Sequence, residues 1–475
     1  MVRMRLSECR AALACFLILV VPLAAFCALR VPLGQVPDEG PHVVRAASLL
    51  HGEIMGHRVA RTNPDSGARD AGFTANVGLA YAASFGTGEA APLPASATTA
   101  ERLAWARAIP WSPSLDFVSS ANTAAYAPPS YVPAAIALGI AKLSGATPHW
   151  AAIAARFGNL AVFALLGSLA LACTQRGRLL LLLTLGLPMT IWLAGSVNQD
   201  GLLIAVACLG MALLTRADRR SFWMGTALLA MLALQKPPFL PLLLLPLARS
   251  AAELGWRSRI AAALMVAVPG VLWSLAVMHW VSVPLLPGAP YHPGPLWPGD
   301  PHLTFRSSIA AAQIKVILAH PLRVALLPVT VQAAHFGTYW RQCLGVLGDL
   351  TIDLPHWMYA VWSLALLSAL GALVSKDGAR PGGAWLPLAA AIALAGSAEL
   401  IFLTQYMTWT PVGAARMDGV QGRYFIPMLP ILLLLLGRWQ ILPPRFHWIW
   451  WITPLAALIA SDAVIPGLIA SNYYR

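Results

Sequence analysis

Stretches of chain long enough to cross a bilayer without a charge recur along this sequence, and they restrict it more than any motif does. From Ala11 to Leu29 no residue is charged, close to the roughly 20 apolar residues that cross a hydrocarbon core about 30 Å thick. Arg3, Arg5 and Arg10 precede the run, which is longer than the apolar core of a cleavable signal. It is therefore expected to be an uncleaved first span with its N-terminus in the cytoplasm. Further spans are expected at about 150–173, 179–195, 201–215, 222–235, 238–248, 260–283, 356–375, 384–407, 424–437 and 447–467. With the first, that makes about eleven.

Composition agrees with this reading. Of 475 residues 58% are hydrophobic and 11% charged, with a mean hydropathy of +0.67, whereas about a quarter of a soluble domain is charged. The net charge of +13 rests on arginines that flank the apolar runs, where they set topology. Nucleic acid is accordingly not an expected partner. Six cysteines (Cys9, Cys15, Cys27, Cys173, Cys208, Cys343) lie mostly in or beside apolar runs, with no Cys-x-x-Cys, so neither a disulfide framework nor a structural zinc is expected.

Two segments, 128–145 and 309–336, read either as spans, giving up to thirteen, or as interfacial helices. The basic loops Arg176/Arg178, Arg216/Arg219/Arg220, Arg249/Arg257/Arg259, Lys376/Arg380 and Arg438/Arg445 decide between the readings, because cytoplasmic loops carry the excess of Lys and Arg. All five face the cytoplasm with the N-terminus only if neither segment crosses. Both are thus expected as interfacial or re-entrant helices, and the C-terminus as extracytoplasmic. Nearly all loop mass then lies outside, chiefly in 31–149 and 284–355, with 63–100 and 284–301 expected as irregular Gly/Pro/Ala/Ser-rich chain. The expectation is one all-α integral membrane domain over 1–475.

The polar residues at the outer helix ends are the ones that could carry chemistry. Val36-Pro37-Asp38-Glu39-Gly40-Pro41-His42 follows the first span directly, and its two acids and imidazole suit general acid/base work or a divalent metal. A solvated acidic loop is the plainer alternative. In Ser196-Val197-Asn198-Gln199-Asp200-Gly201 the lone acid reads as a helix N-cap or as a partner of Asp38 and Glu39 on the same face. In Gln235-Lys236-Pro237-Pro238 the flanking runs of 14 and 11 residues make about 21 and 17 Å of helix, which recesses Lys236 as a phosphate ligand unless it snorkels. Arg423, in Gly419-Val-Gln421-Gly-Arg423-Tyr-Phe425, sits at the outer end of a span against the charge rule. It needs an anion, with Asp418, a lipid headgroup or a bound phosphate as candidates. Arg156 and Glu399 fall inside apolar runs, where charges pair or line a cavity. His292-Pro293 and His320-Pro321 read as turn or interfacial residues.

In order along the chain these landmarks resemble a family of bacterial polytopic membrane proteins grouped with the GT-C glycosyltransferases. The resemblance rests on Pro37-Asp38-Glu39-x-x-His42, Tyr126-Ala-Pro-Pro-Ser-Tyr131, Ser196-Val-Asn-Gln-Asp200, Lys236-Pro-Pro-Phe239, His320-Pro321, Leu344-Gly-Val-Leu-Gly-Asp349 with Asp353-Leu-Pro355, and Gly419-Val-Gln-Gly-Arg-Tyr-Phe425. It implies a GT-C-like helical bundle with outer-side juxtamembrane helices, in the bacterial plasma membrane. It also implies a sugar donor linked to a polyprenyl phosphate and a glycan or lipid acceptor. On that resemblance Asp38 or Glu39 is the catalytic base, Asp200 helps hold metal or acceptor, and Lys236 and Arg423 contact the carrier phosphate. His42, Arg156, Glu399 and Gln421 complete the expected substrate-binding set, and a divalent metal remains an open expectation. A transporter or flippase of lipid-linked saccharides, or a polysaccharide polymerase or ligase, is the alternative. A transporter is expected to carry repeats and interrupted helices near the midplane, and the sequence displays neither.

Overall fold

The computed structural model describes residues 2–60, 69–85, 93–94, 96–250, 254–283, 309–376, 383–437 and 444–474. Among the described residues six helices are long and apolar enough to cross a membrane: Ser7–Arg30, Pro148–Cys173, Trp256–Trp280, His356–Ser375, Leu386–Thr408 and Phe446–Tyr473. Two bent pairs bring that number to at most eight, Pro188–Ala194 with Gln199–Leu214 (116°) and Ala310–Ala319 with Pro321–Gly345 (97°), so the chain does carry interrupted helices that its sequence does not display. The chain is a multi-pass helical membrane protein.

The eleven expected runs all contain helix, but not eleven helices of membrane length. Proline is the main reason. Pro188 ends the run 179–195 as one rod by opening a new helix, Pro188–Ala194, since its ring cannot continue the preceding turn. Pro241, and likewise Pro427 and Pro430, lie inside 3₁₀ helices, Pro237–Leu243 and Gly422–Ile431. The resulting elements, Pro237–Leu247 and Gly422–Leu435, are too short to span alone. Gln199–Leu214 is buried at every position, as an all-round apolar helix in a protein interior should be, and it packs on Pro148–Cys173, Arg219–Gln235 and Gly422–Ile431. Surrounded by protein, it is not bound to the bilayer's length.

Helix ends gather at two opposite poles of different chemistry. At one, arginines cap the C-terminal carbonyls of helices: Arg178 donates to Leu171 and Thr174, Arg216 to Cys173, Arg249 to Leu214, and Arg176 to Leu436. These bonds satisfy carbonyls that the helices leave open and place positive charge at the negative end of each dipole.

The other pole carries the long segment 31–149, which departs from the all-helical expectation. Three antiparallel strands form a small sheet in the order β1 (His57–Ala60), β2 (Arg69–Asn76), β3 (Leu115–Ser119). Ala71, Phe73 and Ala75 alternate inward from β2 into a small core with Val44, Ala124 and Val281, the period-2 pattern of a half-buried strand. Gly72 is required there, because a Cβ would lie 2.0 Å from the Val118 carbonyl oxygen. Val132–Leu143, in the first ambiguous segment, is 12 residues long, short of a bilayer's thickness by itself, and packs on Pro148–Cys173. The second ambiguous segment bends by 97° at His320-Pro321, as a broken span or a re-entrant loop. A two-stranded hairpin, β4 (Val346–Leu347) and β5 (Ile352–Asp353), completes this pole. The stretch 284–301, with His292-Pro293, lies outside the described residues, as do 63–68, 86–92 and 95 of the stretch 63–100, and Arg380 and Arg438.

Candidate functional site

Four charged side chains from four distant segments meet at the pole opposite the capping arginines. Asp38 has a left-handed backbone (φ 61°, ψ 12°) and stands at the N-cap of the Glu39–Ser48 helix without capping it. Its carboxylate turns away and accepts from Arg423 Nη2 at 2.7 Å and from Asn122 Nδ2 at 3.1 Å. Asp200 is not an N-cap either. That place belongs to Asn198, whose side chain accepts from the Asp200 amide at 2.8 Å while its own amide holds the Pro37 carbonyl. The Asp200 carboxylate is thereby left to pair with Lys236 at 2.5 Å, and it lies 3.8 Å from Arg423 Nε.

The two bases are presented alike. Lys236 stands at the N-cap position of the Pro237–Leu243 3₁₀ helix and Arg423 is the second residue of the Gly422–Ile431 one. Gly422 permits the second arrangement, since a Cβ would sit 1.9 Å from the Tyr339 carbonyl oxygen. The Tyr424 ring stands beside both cations, 4.7 Å from Lys236 Nζ and 5.3 Å from the Arg423 guanidinium carbon, a favourable distance to an aromatic face. Asp418, one of the partners expected for Arg423, pairs with Arg416 instead. Lys236 does not snorkel, because its side chain is 15% exposed and held by Asp200.

The result is an alternating row, Asp38, Arg423, Asp200, Lys236, with no net charge. Arg423 and Asp200 are 2% and 7% exposed at their side chains, but Asp38 is 38% exposed. Burial acts to raise the Asp38 carboxyl, yet Arg423, His42 and Asn122 together hold it below the usual carboxylate range. Asp349, exposed at the turn between β4 and β5, is pushed the other way by partial burial and by the Asp38 charge. In the sequence it is legible only as part of a motif, and its proximity to Asp38 and Arg423 follows from the hairpin.

Glu39 separates from Asp38. It forms a bidentate pair with Arg156, both bonds 2.6 Å and both side chains 0% exposed, and it also accepts from the amides of Gly34 and Val197. Arg156 spends its remaining N–H groups on the carbonyls of Ala28, Val31 and Pro32. Neither side chain has a group left for a ligand. His42 is buried, with Nδ1 2.7 Å from the Tyr131 hydroxyl and its ring stacked between Tyr126 and Tyr131. Burial drives its imidazole down to about 4 against the pull of Asp38 and Asp200, so it is neutral at physiological pH. Glu399 makes no ion pair among the described residues, and one of its oxygens is buried without a hydrogen bond. The structure does not bring it into the row.

Three glutamines flank the row in sequence, Gln199 beside Asp200, Gln235 beside Lys236 and Gln421 two before Arg423. Both amide atoms of Gln199 and the amide oxygens of Gln235 and Gln421 are buried without a partner. Each such atom costs about 1–3 kcal/mol if nothing binds it, so these atoms call for water or a polar ligand. Of the three, only Gln421 is singled out by sequence; the other two carry no signal beyond their neighbours. Among the described residues no three His, Cys, Asp or Glu side chains are grouped to hold a metal, and both acids of the row are already matched to bases.

A family model described as a predicted membrane protein, DUF2142, matches residues 15–432. Comparison with curated proteins and with solved structures gives no match.

Proposed function

We propose that this chain, which belongs to the DUF2142 family of predicted membrane proteins, is a membrane glycosyltransferase of GT-C type that takes a sugar from a polyprenyl-phosphate-linked donor. The observation that supports the reading is the meeting of Asp38, Arg423, Asp200 and Lys236 at one helix pole, with a partly exposed carboxylate beside two recessed cations. In this reading Asp38 accepts the proton of an acceptor hydroxyl as its oxygen attacks the anomeric carbon. The bond from that carbon to the phosphate oxygen breaks, and Lys236 and Arg423 stabilise the departing phosphate. The unpaired glutamine amides suit the hydroxyls of the sugar.

The charge rule orients the molecule within this proposal. The arginine-capped pole faces the cytoplasm of a bacterial plasma membrane with the N-terminus, and the site faces outward with the C-terminus. Eleven crossings follow if the three short proline-broken elements, the buried Gln199–Leu214 helix and the 17-residue Arg219–Gln235 helix count as passes. In a cysteine-free background, Ser114→Cys and Ser144→Cys, both at exposed positions, should react with an impermeant thiol reagent in intact cells. Ala217→Cys and Ser258→Cys should be protected. Labelling of the second pair with protection of the first reverses the orientation.

The direct test is transfer of a labelled sugar from a polyprenyl-phosphate donor by the protein in lipid nanodiscs. Lys236→Ala and Arg423→Ala should each lower donor use about 10- to 100-fold, the worth of one charge-assisted contact. Arg423→Lys should recover only part, because an ammonium lacks the fork. Donor movement between leaflets of a vesicle without any transfer to glycan or lipid acceptors decides for the transporter or flippase. Extension of a polymeric glycan decides for a polymerase or ligase.

A further inference from the structure

The row of charges in the ligand-free protein is closed upon itself, and its members are not equally fixed. Arg423 is buried beside Tyr424 and Asp200, and Asp200 is held in addition by Lys236. Asp38 is the outer member, the most exposed of the four, and it reaches Arg423 from a backbone conformation that residues other than glycine rarely adopt. It also leaves unused the helix N-cap position at which it stands, a place where aspartate is favoured. Its carboxylate thus has two destinations, Arg423 or the Gly40 amide at the start of its own helix, Pro41 having no N–H to offer, and only the first is incompatible with an anion on the guanidinium.

We propose that Asp38 is an internal ligand occupying the anion seat of Arg423, and that the phosphate of the incoming lipid-linked substrate displaces it. The inference rests on the reading of the site as a phosphate-dependent transferase and adds to it an order of events. A carboxylate and a phosphate both match the guanidinium fork, so the two compete for one edge of Arg423. Phosphate arriving on Arg423 and Lys236 releases the Asp38 carboxylate, which is then free to take the acceptor's proton. Without phosphate the base stays engaged by Arg423, so a bound hydroxyl meets an occupied carboxylate and water is not activated in the donor's absence.

The test is binding of citronellyl monophosphate, a short prenyl phosphate that mimics the carrier product, to the purified full-length protein in detergent, with inorganic phosphate as a second probe. Removing the competitor should tighten binding: Asp38→Asn is expected to gain on the order of tenfold in affinity, the size of one charge-assisted contact. Asp38→Gly gives the same expectation with the backbone strain relieved, so that a folding defect of the first variant does not decide the outcome. Asp418→Asn, which breaks only the pair with Arg416, should leave affinity unchanged. A gain with both probes assigns the seat to the phosphate group alone, and a gain confined to the prenyl ester assigns it to the lipid-linked form; either supports the lock. Unchanged or weaker binding in both Asp38 variants overturns it, and so does absence of binding by all forms at millimolar probe. Tighter binding by the variants with no sugar transfer by the wild type keeps the lock and removes the transferase. Transfer without the affinity gain does the opposite.

Discussion

Asp38→Asn is expected to cut sugar transfer by about 10²- to 10⁴-fold, the range of a positioned general base, while leaving the protein folded and donor affinity raised. The substitution keeps the shape of the side chain and removes the basic oxygen. It also removes a charge that faces Arg423, but the guanidinium is not left without a counterion. Asp200 still lies 3.8 Å from Arg423 Nε, and the amide introduced at position 38 retains an oxygen to accept from Asn122 or Arg423. Initial rates at saturating donor, set beside donor affinity, separate the two roles. Near wild-type transfer in this variant with the true donor and acceptor removes Asp38 from the chemistry and favours the transport reading. A fall in affinity that parallels the fall in rate makes Asp38 a binding residue instead.

The assembly of the site is partly legible in the sequence because charges in an apolar chain are few and topology sorts them by face. Placing Asp38, Asp200, Lys236 and Arg423 at one pole requires only loop positions and the arginine bias. Their pairing is not legible, since it depends on which of two adjacent acids faces the bundle. Asp38 takes the left-handed turn and Glu39 starts the helix, so the two side chains diverge, one to Arg423 and the other to Arg156. Asn122 reaches the row from a loop, and Asp349 comes near enough from a hairpin turn to feel the Asp38 charge; no local signal announces either approach. The sheet is hidden because the inward positions of β2 are mostly alanine, which gives an alternation of hydrophobicity too weak to see. The span count goes astray at prolines, whose effect on an apolar run is to shorten the helix without making the run any less apolar. The long segment 31–149 is therefore less irregular than its composition implies, and part of it forms the wall that carries Asn122 to Asp38.

Glu39→Gln is expected to lower stability more than any single change at the row itself, by about 3–5 kcal/mol, the cost of breaking a buried ion pair from one side. Against a total of about 5–15 kcal/mol for a folded domain, that is a large share. The reason is in the coordination. All five N–H groups of Arg156 are spent, two on Glu39 and three on the carbonyls that end the first helix, and a neutral partner leaves a buried cation without its counterion. Arg156→Lys should be similarly damaging, since one ammonium cannot reach the Glu39 fork and three carbonyls together. Glu39→Met with Arg156→Met should recover part of the loss by removing both charges, but not all of it, because the Ala28, Val31 and Pro32 carbonyls and the Gly34 and Val197 amides lose partners. Thermal melting in detergent, followed by size-exclusion of the heated sample, measures the three variants against wild type. The informative contrast is with Asp38→Asn: a folded, thermally normal Glu39→Gln protein without transfer moves Glu39 from clamp to chemistry, whereas a destabilised one whose surviving fraction still turns over leaves the proton with Asp38.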